Sequence, residues 1–210
     1  MKILRFIPTL DLSAGGPQTG LRELIPLLEK ERIHNFFIVF DAYRPDYISS
    51  ERVLHFKSHT IYRFSLAFLL KITSICTNFL DIQLVICHGV GQFHLLAAYL
   101  VSSILKKPLV IVPHGMLDPY FLSYRRPLKS FFKLLLWYLY EKSVITSSSN
   151  IWCTSKRESE KILNRMETTV PNVSVIPYGI SYLPRSLKPP FKDSDQGDQK
   201  ALRMCYVGRF

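Results

Sequence analysis

The chain is organised around one short segment, Val110-Ile111-Val112-Pro113-His114-Gly115-Met116-Leu117-Asp118-Pro119. A short apolar run that ends at a proline is typical of a strand buried on both faces of a parallel sheet. His114 follows the C-terminal end of this predicted strand, where we expect an exposed imidazole. Ligands of open α/β sheets bind in the crevice beyond the carboxyl ends of the strands. The sequence therefore predicts a functional role for His114.

Apolar strands alternate with amphipathic helices on both sides of this stretch. Strands are predicted at 2–8, 35–40, 52–57, 82–87, 150–153 and 173–176, and helices at 20–30, 62–79, 92–105 and 128–142. This alternation predicts one α/β domain over residues 1–180, a Rossmann-like, doubly wound and mostly parallel sheet. Residues 181–200 are rich in Pro, Lys and Asp and lack periodicity, which predicts a linker, and residues 201–210 predict a strand that begins a further domain.

Gly15-Gly16-Pro17 joins the first predicted strand to the first predicted helix. Proline suits the first turn of a helix, because its missing N–H would have no partner there. The free N–H groups of a helix N-terminus attract anions, and glycines let a phosphate approach closely. Two interpretations remain open, a phosphate-binding junction and a tight turn that only needs a positive φ.

A second His-Gly pair, His88-Gly89, follows the strand predicted at 82–87. The carboxyl ends of neighbouring parallel strands meet at one edge of a sheet, so His88 and His114 are expected to converge on one crevice. A single histidine in such a place is often a hydrogen-bonded structural residue. Two histidines at equivalent positions favour a site.

Ser155 and Glu158 have the spacing of a capping box, in which each side chain bonds the backbone of the other at the start of a helix. We interpret this pair as a structural signal.

The formal net charge of +11 favours a partner that carries phosphate or an anionic membrane surface. No helix-turn-helix, zinc-finger or RNA-binding pattern accompanies it, so nucleic acid is not the expected partner. Arg125, Arg126, Lys129 and Lys133 recur at helical spacing among aromatic residues. Such a helix either faces anionic lipid head groups or packs on the core with a solvated basic edge.

The motifs together resemble the N-terminal domain of family 4 glycosyltransferases of the GT-B fold, of the type that builds bacterial surface polysaccharides. The resemblance rests on Gly15-Gly16-Pro17, His88-Gly89, Pro113-His114-Gly115-Met116-Leu117-Asp118-Pro119, Cys153-Thr154-Ser155 with Glu158, Ile176-Pro177-Tyr178-Gly179-Ile180 and Tyr206-Val207-Gly208-Arg209-Phe210.

The resemblance implies a retaining sugar transfer from a nucleotide-sugar donor, with no metal ion and no cofactor. It places Gly15 and Gly16 at the donor phosphates and gives His114 a catalytic role beside the reacting sugar. The sugar or acceptor side would include His88, Gly115, Asp118, Arg125 and Arg126. The acceptor would be a glycan or a lipid-linked glycan. The four cysteines are not closely paired, which favours a cytoplasmic, disulfide-free protein, and peripheral binding to the inner face of the membrane is a further expectation.

The resemblance also implies that a donor domain follows Phe210, so that these 210 residues are a truncated transferase with no activity alone. A non-catalytic acceptor-binding or membrane-docking module is the alternative. A nicotinamide-dependent Rossmann enzyme is disfavoured, because no G-x-G-x-x-G follows any predicted strand.

Overall fold

A computed structural model of the chain describes residues 1–58, 62–117, 134–166 and 172–177. The predicted site residues Asp118, Arg125 and Arg126 lie outside these ranges. So do the predicted linker, 181–200, and the strand predicted at 201–210.

Strands and helices alternate along the described residues. The strands are β1 (Lys2–Ile7), β2 (His34–Val39), β3 (Val53–His55), β4 (Leu84–His88), β5 (Leu109–Val112), β6 (Asn150–Cys153) and β7 (Asn172–Val175). The α-helices are α1 (Gly16–Lys30), α2 (Leu66–Asn78), α3 (Phe93–Leu105), α4 (Lys142–Ser147) and α5 (Lys156–Met166). Short 3₁₀ turns cover Leu12–Ala14 and Ser50–Arg52, and a π-helical turn, Trp137–Glu141, precedes α4.

The strands form one parallel sheet in the order β3-β2-β1-β4-β5-β6-β7. This confirms the predicted doubly wound α/β fold. From β1 the chain adds β2 and β3 on one side, and then returns to add β4 to β7 on the other. The order of strands therefore reverses between β1 and β4, which is where open α/β sheets bind their ligands.

The two faces of the sheet bury different sets of side chains, because successive residues of a strand point to opposite sides. Leu4 and Phe6 of β1 join a large apolar cluster with residues of α2 and α3. Ile7 joins a smaller cluster on α1, with Leu21 and Ile25. Helices thus cover both faces, as the apolar runs of the sequence predict.

Two helices begin several residues away from their predicted starts. The first begins at Gly16, not at residue 20, because Gly15 leaves the helical region at φ 134° and Pro17 fits the first turn. The second begins at Leu66, not at residue 62. Arg63 has a left-handed φ of 54°, and the Ser65 hydroxyl caps α2 by accepting a hydrogen bond from the Phe68 N–H.

Candidate functional site

Three sequence-predicted site segments lie at the carboxyl ends of three neighbouring strands. Gly15 and Gly16 follow β1, His88 ends β4, and His114 comes two residues after β5. Because β1 and β4 flank the point where the strand order reverses, these residues line the expected ligand crevice.

The two histidines meet there, as the sequence predicts. His88 Nδ1 lies 3.1 Å from His114 Nε2, and the ring planes are within 15° of each other. The sequence predicts an exposed His114, but its side chain is half-buried because the edge of its ring packs against the His88 ring. Its φ of 54° is left-handed, a strained conformation for a residue with a side chain. The fold therefore holds His114 in one specific orientation.

Arg5 lies behind the histidine pair, in the middle of β1. Its side chain is only 2% exposed, its Nε donates to Asn35 Oδ1 at 2.8 Å, and its Nη1 lies 3.0 Å from His88 Nε2. Arg5 is not among the site residues predicted from the sequence, although it interrupts the apolar run 3–7. A charged side chain in the middle of a buried strand was the signal, since arginine is seldom fully buried unless it is paired.

Both histidines are neutral at physiological pH. Burial lowers the pKa of His114 to about 4, although the charge of Glu158 acts in the opposite direction. Burial and the nearby Arg5 cation hold the pKa of His88 well below its ordinary value. The pair therefore offers neutral imidazoles with fixed donors and acceptors, not a positive charge.

A third histidine, which the sequence did not single out, supports the end of β4. His94 in α3 is fully buried, and its Nε2 lies 2.9 Å from the His88 carbonyl and 3.2 Å from the Gly89 carbonyl. Burial lowers its pKa to about 4, so the neutral ring donates from Nε2 to both carbonyls. This contact ties the His88-Gly89 turn to the core.

Glu158 supports the segment that carries His114. The Ser155 hydroxyl accepts from the Glu158 N–H at 3.2 Å, which is one half of the predicted capping box. The carboxylate does not complete the box. It accepts from the N–H groups of Gly115 at 2.6 Å and Thr154 at 2.8 Å, and from the Thr154 hydroxyl at 2.9 Å. Glu158 therefore joins α5 to the loop after β5, a role that spacing along the sequence could not reveal.

Replacing Glu158 by glutamine should loosen the His114 segment. An amide has one acceptor oxygen, so its NH₂ group would face one of the N–H groups, and we expect a loss of about 1–3 kcal/mol of stability. Hydrogen exchange at the Gly115 amide should become faster. Glu160→Gln, at an exposed position of the same helix, is the matched control. Unchanged exchange at Gly115 in Glu158→Gln would contradict the contact.

The two glycines after β1 differ in whether the fold requires a glycine there. Gly15 adopts φ 134° and ψ −160°, a combination open essentially to glycine alone. Gly16 lies in α1, and a Cβ added there would have no atom within 4 Å. The fold requires glycine only at Gly15. The N-terminus of α1 also lacks a side-chain cap, so its N–H groups suit an anion.

A cavity of about 390 Å³ opens beside the His114 segment. Its lining comes from the loop after β5 and from the start of α5: Gly115, Leu117, Ser155, Arg157, Glu158, Lys161 and Ile162. Its lining carries two cationic side chains, Arg157 and Lys161, and one carboxylate, Glu158, so the cavity suits a polar ligand next to Gly115.

The structure thus brings His88 and His114 into contact and places Gly115 at the adjoining cavity. Gly15 and Gly16 lie at the same edge of the sheet.

Comparison with known proteins gives a family and several similar folds. The family model described as Glycosyltransferase Family 4 matches residues 14–182. No curated protein matches the chain in sequence.

Among solved structures, Anabaena Alr3699/HepE in complex with UDP and glucose has a TM-score of 0.58 at 18% identity, over 86% of this chain and 45% of that chain. A glycosyltransferase from Rickettsia africae ESF-5 has a TM-score of 0.58 at 15% identity, over 85% and 43%. The apo form of the lipopolysaccharide outer core galactosyltransferase WaaB has a TM-score of 0.53 at 18% identity, over 84% and 45%. At these identities the likeness shows the fold alone. The chain spans less than half the length of each of these proteins.

Proposed function

The chain belongs to glycosyltransferase family 4, and from that premise we propose that it forms the acceptor-side half of an enzyme that transfers a sugar from a nucleotide-sugar donor. The reaction proceeds with retention of anomeric configuration and uses neither a metal ion nor a cofactor. One observation carries the proposal: the Gly15-Gly16 junction and the hydrogen-bonded His88–His114 pair lie at the same edge of the sheet, around the reversal of strand order.

The donor phosphates bind at the N-terminus of α1. The uncapped N–H groups of this helix and its positive dipole end favour a negative charge. The glycine at Gly16, which the fold itself does not require, leaves room for a phosphate. Alr3699/HepE was crystallised with UDP and with UDP-glucose, which supports a nucleotide sugar as the donor.

Replacing Gly16 by alanine should weaken donor binding without loss of stability. The added methyl group has open space in the fold but would lie where a phosphate approaches the helix N-terminus. We expect UDP-glucose, titrated into ¹⁵N-labelled chain, to shift the Gly15, Gly16 and His114 signals in the parent and to shift them much less in Gly16→Ala.

Leu27→Ala, at an exposed position further along α1, is the control. Equal affinity of Gly16→Ala and the parent for UDP-glucose would mean that the donor does not bind at this junction. Parent signals that do not shift at millimolar UDP-glucose would contradict the proposed function.

The acceptor lies on the other side of His114. The cavity beside Gly115 carries the cationic Arg157 and Lys161 as well as the Glu158 carboxylate, and this polar lining suits either the phosphate or the hydroxyl groups of a lipid-linked glycan. We propose a glycan or lipid-linked glycan acceptor in the synthesis of cell-surface polysaccharide. Asp118, Arg125 and Arg126 remain predicted acceptor residues.

A second proposal, docking to the cytoplasmic face of a membrane, rests on an exposed apolar stripe in the helical segment 134–147. Leu134, Leu135, Tyr138 and Leu139 are exposed on one side of this segment, Tyr138 by 73%. Trp137, Val144 and Ile145 bury its opposite side in the core.

Within the described ranges, no helix has the length and apolar character needed to cross a bilayer. The segment packs on the core through one side, and its exposed apolar side favours a lipid-facing surface over a solvated one.

Replacing Leu135, Tyr138 and Leu139 together by serine should abolish binding to vesicles that contain anionic lipid. Burial of each such side chain is worth about 1.5–3 kcal/mol, so a partial insertion of three still exceeds a tenfold change in affinity. Vesicle binding should weaken by ~1 kcal/mol per charge when four basic residues are changed to glutamine: Arg125, Arg126, Lys129 and Lys133. Salt should also weaken vesicle binding by the parent.

Leu163→Ser, at an exposed apolar position of α5, is the matched control. If both sets of variants sediment with acidic vesicles as the parent does, the core-packed interpretation of the helix holds.

A further inference from the structure

Resting on the proposed function, we infer that buried Arg5 acts through His88 to fix the tautomer of His114, so that His114 carries its proton on Nδ1 and serves as a hydrogen-bond donor. Arg5 and His88 are positioning residues in this scheme. They act on the reacting sugar only through His114.

The first step follows from the chemistry of arginine. A guanidinium has only N–H donors and keeps its proton in proteins. Arg5 Nη1 lies 3.0 Å from His88 Nε2, with both side chains buried. His88 Nε2 must therefore accept this hydrogen bond and carry no proton.

The second step follows from the single proton of a neutral imidazole. Because Nε2 of His88 is the acceptor, its proton lies on Nδ1. That nitrogen is 3.1 Å from His114 Nε2, and the near-parallel rings, with centroids 5.4 Å apart, suit a hydrogen bond along their shared plane. His88 donates this bond, so His114 Nε2 is an acceptor.

The third step assigns His114. Its Nε2 lone pair is already used by His88, so a neutral His114 carries its proton on Nδ1. The ring can donate from Nδ1 to an oxygen, such as a hydroxyl of the bound sugar or an oxygen on which negative charge develops. It cannot remove a proton through Nε2 without breaking the bond to His88. His114 thus stabilises charge as a donor and does not act as a general base.

The surrounding contacts keep the relay in place. Asn35 Oδ1 accepts from Arg5 Nε at 2.8 Å, and the Asn35 amide donates to the Ile33 carbonyl at 3.3 Å. His94 holds the backbone carbonyl of His88 from the other side at 2.9 Å. Each group that sets the direction of the relay is therefore itself held by a second contact.

The test is the ¹⁵N NMR spectrum of the histidine side chains, which distinguishes a protonated from an unprotonated ring nitrogen. In the 210-residue chain at pH 7, we expect His88 and His114 each to show one tautomer, protonated at Nδ1 and unprotonated at Nε2. A His114 protonated at Nε2 would overturn the inference.

Variants then test whether Arg5 is the cause. Arg5→Lys keeps a cationic donor and should retain the single tautomer. Arg5→Met removes the donor and should give His114 a mixture of tautomers; an unchanged spectrum in a folded Arg5→Met would overturn the inference. Should Arg5→Met not fold, His88→Phe removes the link at similar volume, and retention of the single tautomer in that variant would likewise overturn it. The readout needs no sugar, so it is independent of the outcome of any transfer assay.

Discussion

Replacing His114 by alanine should lower the rate of sugar transfer by about 10²-fold or more, because the loss of one hydrogen-bond donor aimed at the reacting centre typically costs that much. The loss should lie mainly in kcat, since the bond is strongest when charge develops in the transition state. The assay uses the gene product as its own cells make it, with a nucleotide sugar and the native acceptor.

The same change should cost only about 1–3 kcal/mol of stability, because it leaves the buried His88 Nδ1 donor without its acceptor. This cost is larger than a fully exposed imidazole would give. His34→Ala, at an exposed position at the start of β2, is the matched control and should change neither quantity. A His114→Ala enzyme that unfolds early but keeps its specific activity would make His114 a structural residue.

Replacing Phe68 by alanine should destabilise the fold by about 3–5 kcal/mol, the typical cost of removing a buried phenylalanine ring from a core. Phe68 is fully buried in α2, and its ring centroid lies 5.3–6.2 Å from those of Phe6, Phe40, Phe56 and Phe93. These neighbours come from β1, α3 and the segments after β2 and β3. The ring therefore couples α2 to the sheet.

The measurement is urea unfolding of the 210-residue chain. Leu70→Ala, two residues further along the same helix and 78% exposed, should cost only a few tenths of a kcal/mol. Equal losses in the two variants would contradict the packing of α2 on the sheet.

Most of the fold could be predicted because each element carries its own local signal. Apolar runs mark β1, β4 and β5, and Gly-Gly-Pro marks the start of α1. A doubly wound sheet follows from the alternation of strands and helices, but the order of the strands was not predicted, because no local signal says which strands pair. The predicted starts of two helices were wrong because the backbone conformation of one residue decides each start, as Arg63 does with its left-handed φ.

The candidate site was predictable only where it follows a strand end. His88 and His114 occupy such positions, so their convergence could be foreseen. Three further residues act through contacts between separate parts of the chain. Arg5 contacts His88 across 83 residues, His94 contacts His88 across 6 residues, and Glu158 contacts Gly115 across 43 residues. Spacing along the sequence carries no record of such contacts between elements. Arg5 was visible only as a charge within an apolar strand, and Glu158 only as part of a capping box.

We propose that this chain contributes the acceptor side of a sugar transferase with its reacting centre at His114. The most direct measurement follows labelled sugar from a panel of nucleotide sugars into native acceptor, with the gene product purified from its own cells. We expect label transfer and release of nucleoside diphosphate to rise together with the amount of protein, and His114→Ala to lower both by about 10²-fold or more. Equal transfer by the His114→Ala protein and the parent would contradict this proposal.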